Sequence, residues 1–158
     1  MTEPRLTHLR TDGSAHMVDV SAKDVTVRSA TAAGRVILSA GAVAALREGT
    51  VPKGDALSVA RIAGIQAAKR TPDLIPLAHP IGVHAVEVDL VVVDDGVDLS
   101  ATVRTADRTG VEMEALTAVA VGALALIDMV KAVDRHARIT DVRVTAKSGG
   151  RSADWTQP

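Results

Sequence analysis

The sequence contains no cysteine, phenylalanine or tyrosine, and its one tryptophan is Trp155. Without cysteine the chain can form neither a disulfide nor a thiolate zinc site, and it cannot use a cysteine nucleophile. The near absence of aromatic side chains argues against a protein that stacks RNA or single-stranded DNA bases on a sheet. The core must therefore be built from Ala, Val, Leu and Ile.

The chain also lacks a strong net charge, with a formal charge of −1 at pH 7 and a pI near 6.5. No overall field attracts nucleic acid or an anionic membrane, so any bound anion must be held by a local cluster. The polar first seventeen residues contain no apolar secretory segment, which predicts a cytoplasmic protein. The length suits one domain over residues 1–158, with a mobile arm at about 1–14 and a mobile tail at about 147–158.

Hydrophobic periodicity and turn residues predict an α+β fold. Strands are predicted at residues 25–38, 85–93, 97–105 and 138–146, and helices at 40–47, 55–70 and roughly 111–133. Gly49 ends the first helix, Asp55 begins the second, and residues 94–96 join the two middle strands as a hairpin. Three prolines predict a non-helical connection over residues 71–80. Setting aside the short helix capped by Ser39, the order βαββαβ predicts a ferredoxin-like antiparallel sheet with helices packed on one face.

Residues 110–135 combine a buried-type sequence with charge. Residues 115–127 are apolar except for Thr117 and Gly122, and they are too few to span a bilayer. Asp128 and Lys131 follow at i and i+3, where their side chains can meet on one helical face. They form either an ordinary ion pair on an exposed edge or, if buried, a pair retained for acid–base chemistry.

Glu112 and Glu114 stand at the opposite end of the same predicted helix. Carboxylates in a first turn commonly complement the helix dipole, and that interpretation stays open. Glu114 and Asp128 are separated by about 21 Å along a helix. One small substrate would hardly touch both within a single chain, so we hypothesise that a site using both ends is assembled from two subunits.

Two loop residues are further candidates for chemistry. Lys53 precedes a predicted helix and could meet an anion at the helix N-terminus, or it is a solvated loop lysine. His79 lies in the proline-rich connection and could act as an acid, a base or a hydrogen-bond donor, although most loop histidines do none of these. The histidines are too scattered to predict a metal site.

Four strings together carry a specific resemblance. They are HMVDVSAK at residues 16–23, KGDALSVARIAGIQAAKRTPDLIPLAHP at 53–80, GVEMEAL with DMVKAV at 110–116 and 128–133, and AKSGGRS at 146–152. The sequence resembles the cyclic pyranopterin monophosphate synthase family, the MoaC proteins of molybdenum cofactor biosynthesis. The similarity runs from about Leu6 to Ser152 and is weakest over residues 35–50 and around the Asp94 hairpin.

The resemblance implies a phosphorus–oxygen lyase that converts 3′,8-cyclo-7,8-dihydro-GTP to cyclic pyranopterin monophosphate and releases pyrophosphate. It implies a ferredoxin-like fold and hexamers built as trimers of dimers, with the site at the dimer interface. No cofactor is implied with certainty, and whether magnesium assists stays open. The alternatives are a non-catalytic nucleotide-binding regulatory module and a nucleotide phosphohydrolase, although no carboxylate metal cluster is evident for the latter.

The resemblance also implies roles for individual residues. The catalytic aspartate falls at Asp128, and the two essential lysines fall at Lys131 and Lys53. Substrate contacts fall on Leu77, Ala78, His79, Met113 and Glu114, with Glu112 adjacent and Asp19 associated with the pocket. Many relatives have cysteine where this chain has Ala78, so a thiol there cannot be required. Candidates for binding the triphosphate are Arg28, Arg61, Lys69 and Lys147.

Overall fold

A computed structural model describes residues 8–157 as a five-stranded antiparallel sheet with helices against it. The strands are β1 (Thr26–Ile37), β2 (Ala85–Val93), β3 (Gly96–Asp107), β4 (Arg138–Ser148) and β5 (Trp155–Thr156), in the spatial order β2-β3-β1-β4-β5. The helices are α1 (Ala40–Glu48), α2 (Ala56–Lys69), α3 (Thr71–Leu74) and α4 (Glu112–Val130). Without α1, α3 and β5 this is the βαββαβ arrangement, so the predicted ferredoxin-like fold is confirmed.

The two faces of the sheet differ in polarity because side chains alternate along each strand. On β1, Ala30, Ala32 and Val36 are buried under the helices, opposite Val103, Ala101 and Val97 of β3. The alternate positions form the open face. There the Thr31 and Thr102 hydroxyls are hydrogen-bonded, and Arg35 forms a bidentate pair with Asp98.

Helices α2 and α4 pack on each other through small residues. A methyl group added to Gly64 would lie 2.8 Å from the Ala118 carbonyl oxygen, and one added to Gly122 would lie 3.3 Å from the Ala60 carbonyl oxygen. These contacts give the helices an antiparallel register, with the start of α2 beside the end of α4. The apolar segment was predicted to be too short to span a bilayer, but the helix α4 is longer than that segment, and by length and composition alone it could cross a membrane. More than half of its apolar stretch is buried in the fold.

The helix ends follow the predicted capping residues. Ser39 caps α1 by accepting a hydrogen bond from the Ala42 backbone N–H, and Gly49 ends α1 in the left-handed conformation, at φ 69°. Asp55 caps α2 by accepting from the Ser58 N–H. Gly49 and Asp55 therefore fix where the chain leaves α1 and where it enters α2, and so place the loop that carries Lys53.

The proline-rich connection was wrongly predicted to be non-helical. Residues Thr71–Leu74 form the single turn α3, which tolerates Pro72 because the first positions of a helix need no N–H donor. The fully buried Thr71 donates its hydroxyl proton to the Ala68 carbonyl, which joins α3 to the end of α2.

The sheet also extends into the predicted tail, since β4 runs through Ser148 and β5 pairs with it. Of the predicted arm, residues 1–7 lie outside the described residues, as does Pro158 of the tail. Residues 8–16 double back, with Leu9 bridged to Ala15.

Candidate active site

The C-terminal end of α4 carries a three-residue charge cluster. Asp128 Oδ1 lies 2.7 Å from Lys131 Nζ, and Asp128 Oδ2 lies 2.9 Å from Lys53 Nζ. Asp128 is in the last turn of α4 and Lys131 is its C-cap residue. Lys53 reaches them because its turn, closed by a Gly54 N–H to Val51 carbonyl bond, stands at the start of α2.

The two lysines set the charge state of Asp128. Hydrogen bonds from Lys131 first, and from Lys53 second, lower the pKa of the Asp128 carboxyl to about 2. The side chains of Asp128, Lys53 and Lys131 are 55%, 41% and 59% exposed, so in the single chain this is an exposed cluster. Asp128 therefore remains ionised across the physiological range and holds two ammonium groups in place.

The N-terminal end of α4 borders a cavity of about 430 Å³. Among its lining residues are the predicted substrate contacts Leu77, Ala78, His79, Glu112, Met113 and Glu114. The first three come from the connection after α3, and the last three from the first turn of α4. The structure thus brings together two segments that are more than thirty residues apart in the sequence.

The two glutamates of this end have different environments. Glu114 is 3% exposed, and burial raises the pKa of its carboxyl above the ordinary value, with the neighbouring charge of Glu112 raising it further. Glu112 forms an ion pair with Lys147 of β4, and their side chains are 26% and 20% exposed. The side chains of this ion pair are therefore less exposed to solvent than those of the cluster around Asp128.

His79 and Asp19 lie close to each other beside this cavity. The Val18 carbonyl accepts a hydrogen bond from His79 Nε2 at 2.6 Å, which places the imidazole proton on Nε2 if the ring is neutral. Asp19 lines a neighbouring space of about 530 Å³ together with Val18 and His79. A hydrogen bond from the Ser21 backbone N–H lowers the pKa of the Asp19 carboxyl.

None of the four predicted triphosphate contacts lines either of these two cavities. Arg28 donates to the Asp107 carbonyl at 3.0 Å, and Arg61 donates to the Val88 carbonyl on edge strand β2 at 2.9 Å. Lys69 is exposed at the end of α2. Of that set, Lys147 alone contacts another predicted site residue in the described chain, through Glu112.

Sequence reasoning missed several residues that line the same cavity, namely His8, Val18, Val20, Lys23, Thr109 and Gly110. Lys23 had a usable signal, because it ends the string that contains Asp19. Its carbonyl accepts a hydrogen bond from Arg108 Nε at 3.0 Å. The residues of the connection before α4 had no periodic pattern that could have singled them out.

Within residues 8–157, no group of three or more His, Asp or Glu side chains is placed to hold a metal ion. What the chain does offer is ammonium groups ordered by a carboxylate, a buried carboxyl group and a histidine. Such groups hold and move protons on a small, charged substrate.

The fold and these groups define a ferredoxin-like enzyme that combines acid–base residues with cationic residues at two ends of one helix. The model of the MoaC family matches residues 17–150, and the chain belongs to that family. It is 64% identical over 155 residues to the cyclic pyranopterin monophosphate synthase of Streptomyces coelicolor, covering 98% of this chain and 91% of that protein.

Other relatives give the same result. A cyclic pyranopterin monophosphate synthase of Streptomyces griseus is 66% identical over 154 residues, covering 98% of this chain and 87% of the relative. Cyclic pyranopterin monophosphate synthase 2 of Mycobacterium bovis is 55% identical over 152 residues, covering 96% and 91%. The similarity therefore extends over nearly the full length of each protein.

Proposed function

We propose that this protein is the lyase that converts 3′,8-cyclo-7,8-dihydro-GTP to cyclic pyranopterin monophosphate and pyrophosphate in molybdenum cofactor biosynthesis. Family membership and the names of the relatives support the reaction. The observation that carries the assignment of residues is the contact of Asp128 with both Lys53 and Lys131. The proposal includes a cytoplasmic location, as expected for an enzyme that consumes a GTP-derived metabolite.

The proposed roles follow from charge and position. Rearranging a purine-derived ring system requires groups that give and take protons near neutral pH. Because the pKa of Asp128 is about 2, Asp128 orients the lysines, and Lys53 and Lys131 move protons or stabilise developing negative charge. Departure of pyrophosphate needs cations, for which Lys147, paired with Glu112, and the cavity-lining Lys23 are candidates.

We further propose that each site is shared by two copies of the chain. In one chain the Asp128 cluster and the Glu114 cavity lie at opposite ends of α4, about 21 Å apart along its axis. A continuous stripe connects them on the exposed side of the helix, consisting of Met113, Leu116, Ala120, Leu124, Asp128 and Lys131.

This stripe is apolar between its ends, and Leu124 is 58% exposed in the single chain. Two α4 helices packed antiparallel, with the two-fold axis between Ala120 and Leu124, would bury this apolar surface. Each Asp128 cluster would then face the Glu114 end of the partner subunit. A hexamer built as a trimer of such dimers is part of the same proposal.

A non-catalytic nucleotide-binding module is the less favoured alternative, since the relatives are named as synthases. The two functions are separated by supplying the purified protein with 3′,8-cyclo-7,8-dihydro-GTP and following pyrophosphate and the pterin product. We expect turnover by the natural sequence. Replacing Lys131 with methionine should lower kcat by roughly 100-fold or more, because one proton-transfer group is lost.

Arg47→Met is the matched control, because it also removes one cation from an exposed ion pair, here with Asp94. It should leave turnover unchanged. Substrate binding without turnover would favour the regulatory module, and full activity of Lys131→Met would refute the assignment of that lysine.

A further inference from the structure

Gly110 lies two residues before α4, and the space that its absent side chain leaves is occupied by the side chain of Glu112. If a methyl group were added at Gly110, the three heavy atoms nearest to it would all belong to the carboxyl group of Glu112. The Cδ of that group would be 2.8 Å away, and Oε2 would be closer still. The φ angle of Gly110 is not in the left-handed region, so space is the reason for glycine here.

The Glu112 carboxylate therefore folds back over the Gly110 backbone. In that position Oε1 pairs with Lys147 of β4, and both side chains are mostly withdrawn from solvent. Gly110 and Glu112 also line the cavity of about 430 Å³. The Glu112 carboxylate thus lies between the cavity and the Lys147 ammonium group. It can occupy this position because residue 110 has no side chain.

We infer that Gly110 is a positioning residue, which holds the Glu112 carboxylate against Lys147 and at the cavity wall by leaving its own side-chain volume empty. This inference rests on the proposed function insofar as it links Glu112 to the reaction. A side chain at position 110 would push the carboxylate into the cavity or out to solvent. Either displacement separates it from Lys147 and changes the charge that the substrate meets.

The test is Gly110→Ala, measured beside Glu112→Gln and the double variant. Because the carboxylate is the far end of a flexible side chain, it can swing away, and the melting temperature should fall no further than in Glu112→Gln, which weakens the same ion pair. The kcat/KM of Gly110→Ala should fall roughly 10-fold or more, to the value of Glu112→Gln. The separate changes in kcat and in KM should also be the same in the two variants. The double variant should be no worse than Glu112→Gln alone.

Gly41→Ala is the control, since Gly41 has an ordinary φ angle and a methyl group there meets nothing within 4 Å. It should change neither activity nor folding. Full activity of Gly110→Ala, or losses that add in the double variant, would overturn the inference.

Two stability measurements keep the inference testable without turnover. Lys147→Met should destabilise the natural sequence more than it destabilises Gly110→Ala, since the ion pair is already broken in the latter. If Gly110→Ala folds poorly, Gly110→Ala/Glu112→Ala should fold normally, because the clashing carboxyl group is gone. Equal effects of Lys147→Met in both backgrounds, or a double variant that stays unfolded, would contradict the inference even if the natural protein had no synthase activity.

Discussion

Two carboxyl groups of α4 are shifted in opposite directions by their surroundings. Ammonium groups hold the pKa of Asp128 at about 2, whereas burial raises the pKa of Glu114. Carboxyl groups whose environments separate their pKa values in this way are commonly assigned different roles in one site. In the proposed enzyme Asp128 is a permanent anion, and Glu114 is the carboxyl group closer to exchanging a proton at working pH.

Glu114→Gln should change the pH dependence of stability. A buried glutamate with a raised pKa costs stability when ionised, so that cost is absent below the ordinary pKa of 4.5 and grows as pH rises through the folded-state value. The variant should therefore melt at a higher temperature than the natural sequence at pH 7 to 8, with the gain disappearing near pH 4. Thermal melts across this range measure it.

Glu112→Gln serves as the comparison for Glu114→Gln, because the Glu112 carboxylate is stabilised by an ion pair with Lys147. It should give no such gain at neutral pH. A Glu114→Gln gain that is independent of pH would show that ionisation of Glu114 is not its source.

The sequence predicted part of this site and not the rest, for a physical reason. The i, i+3 spacing predicted the contact of Asp128 with Lys131, because helix geometry is local. Lys53 is 75 residues from Asp128, so its place beside Asp128 depends on packing and came from the resemblance. Gly110 acquires its significance through the space it leaves for the Glu112 carboxyl group, which no local pattern encodes.

At the scale of the element, α4 combines a buried side with an exposed stripe. Its buried side includes Ala115, Ala118, Ala123 and Leu126, while the exposed stripe runs from Met113 at the cavity to Asp128 and Lys131 at the other end. An apolar exposed stripe between charged ends is typical of a helix that forms a subunit contact. The proposed dimer therefore makes a prediction about one residue at its centre.

Leu124→Glu should dissociate the proposed dimer and abolish most activity, because two carboxylates would face each other near the axis without solvent. Sedimentation velocity and turnover of the same sample measure both effects. Val91→Glu is the matched control, since Val91 is 59% exposed and lies on β2. It should retain assembly and turnover, and a fully active monomeric Leu124→Glu would refute the shared site.

Helix and strand ends were predicted accurately where the residues that determine them are neighbours in the sequence. Caps at Ser39, Gly49 and Asp55 and the turn at Gly96 are local, and the ends of α1, α2 and the hairpin were predicted to within about two residues. The turn α3 was not predicted, because proline breaks the interior of a helix but is accepted in its first turn. Strand β5 was not predicted, because two residues are too few to show a periodic pattern.

At the scale of the whole molecule, the proposed dimer contains two sites, and each chain contributes the Asp128 end to one and the Glu114 end to the other. A chain that is defective at one end would still supply an intact opposite end. Two inactive variants can therefore restore each other, which a site within one chain does not allow.

Lys131→Ala and Glu112→Gln should each lose most of the natural activity, and mixing them after reversible dissociation should raise activity to about a quarter of the natural value. Half of the randomly formed dimers would be mixed, and each mixed dimer would have one intact site. Turnover before and after subunit exchange measures the recovery. As a control, Lys131→Ala mixed with Lys53→Ala should recover nothing, because both changes fall in the same half-site.

The close contact of α2 with α4 also determines which positions are replaceable. Ala60 lies against Gly122 and Gly64 against Ala118, and the same antiparallel register continued to the start of α2 brings Lys53 to Asp128. The meeting of these two charges thus depends on the absence of side chains at Gly122 and Gly64, about 9 Å and about 15 Å from Asp128 along the axis of α4. In a saturation library scored for turnover, Gly64 should be as intolerant of substitution as the lysine it aligns, although it carries no reactive group.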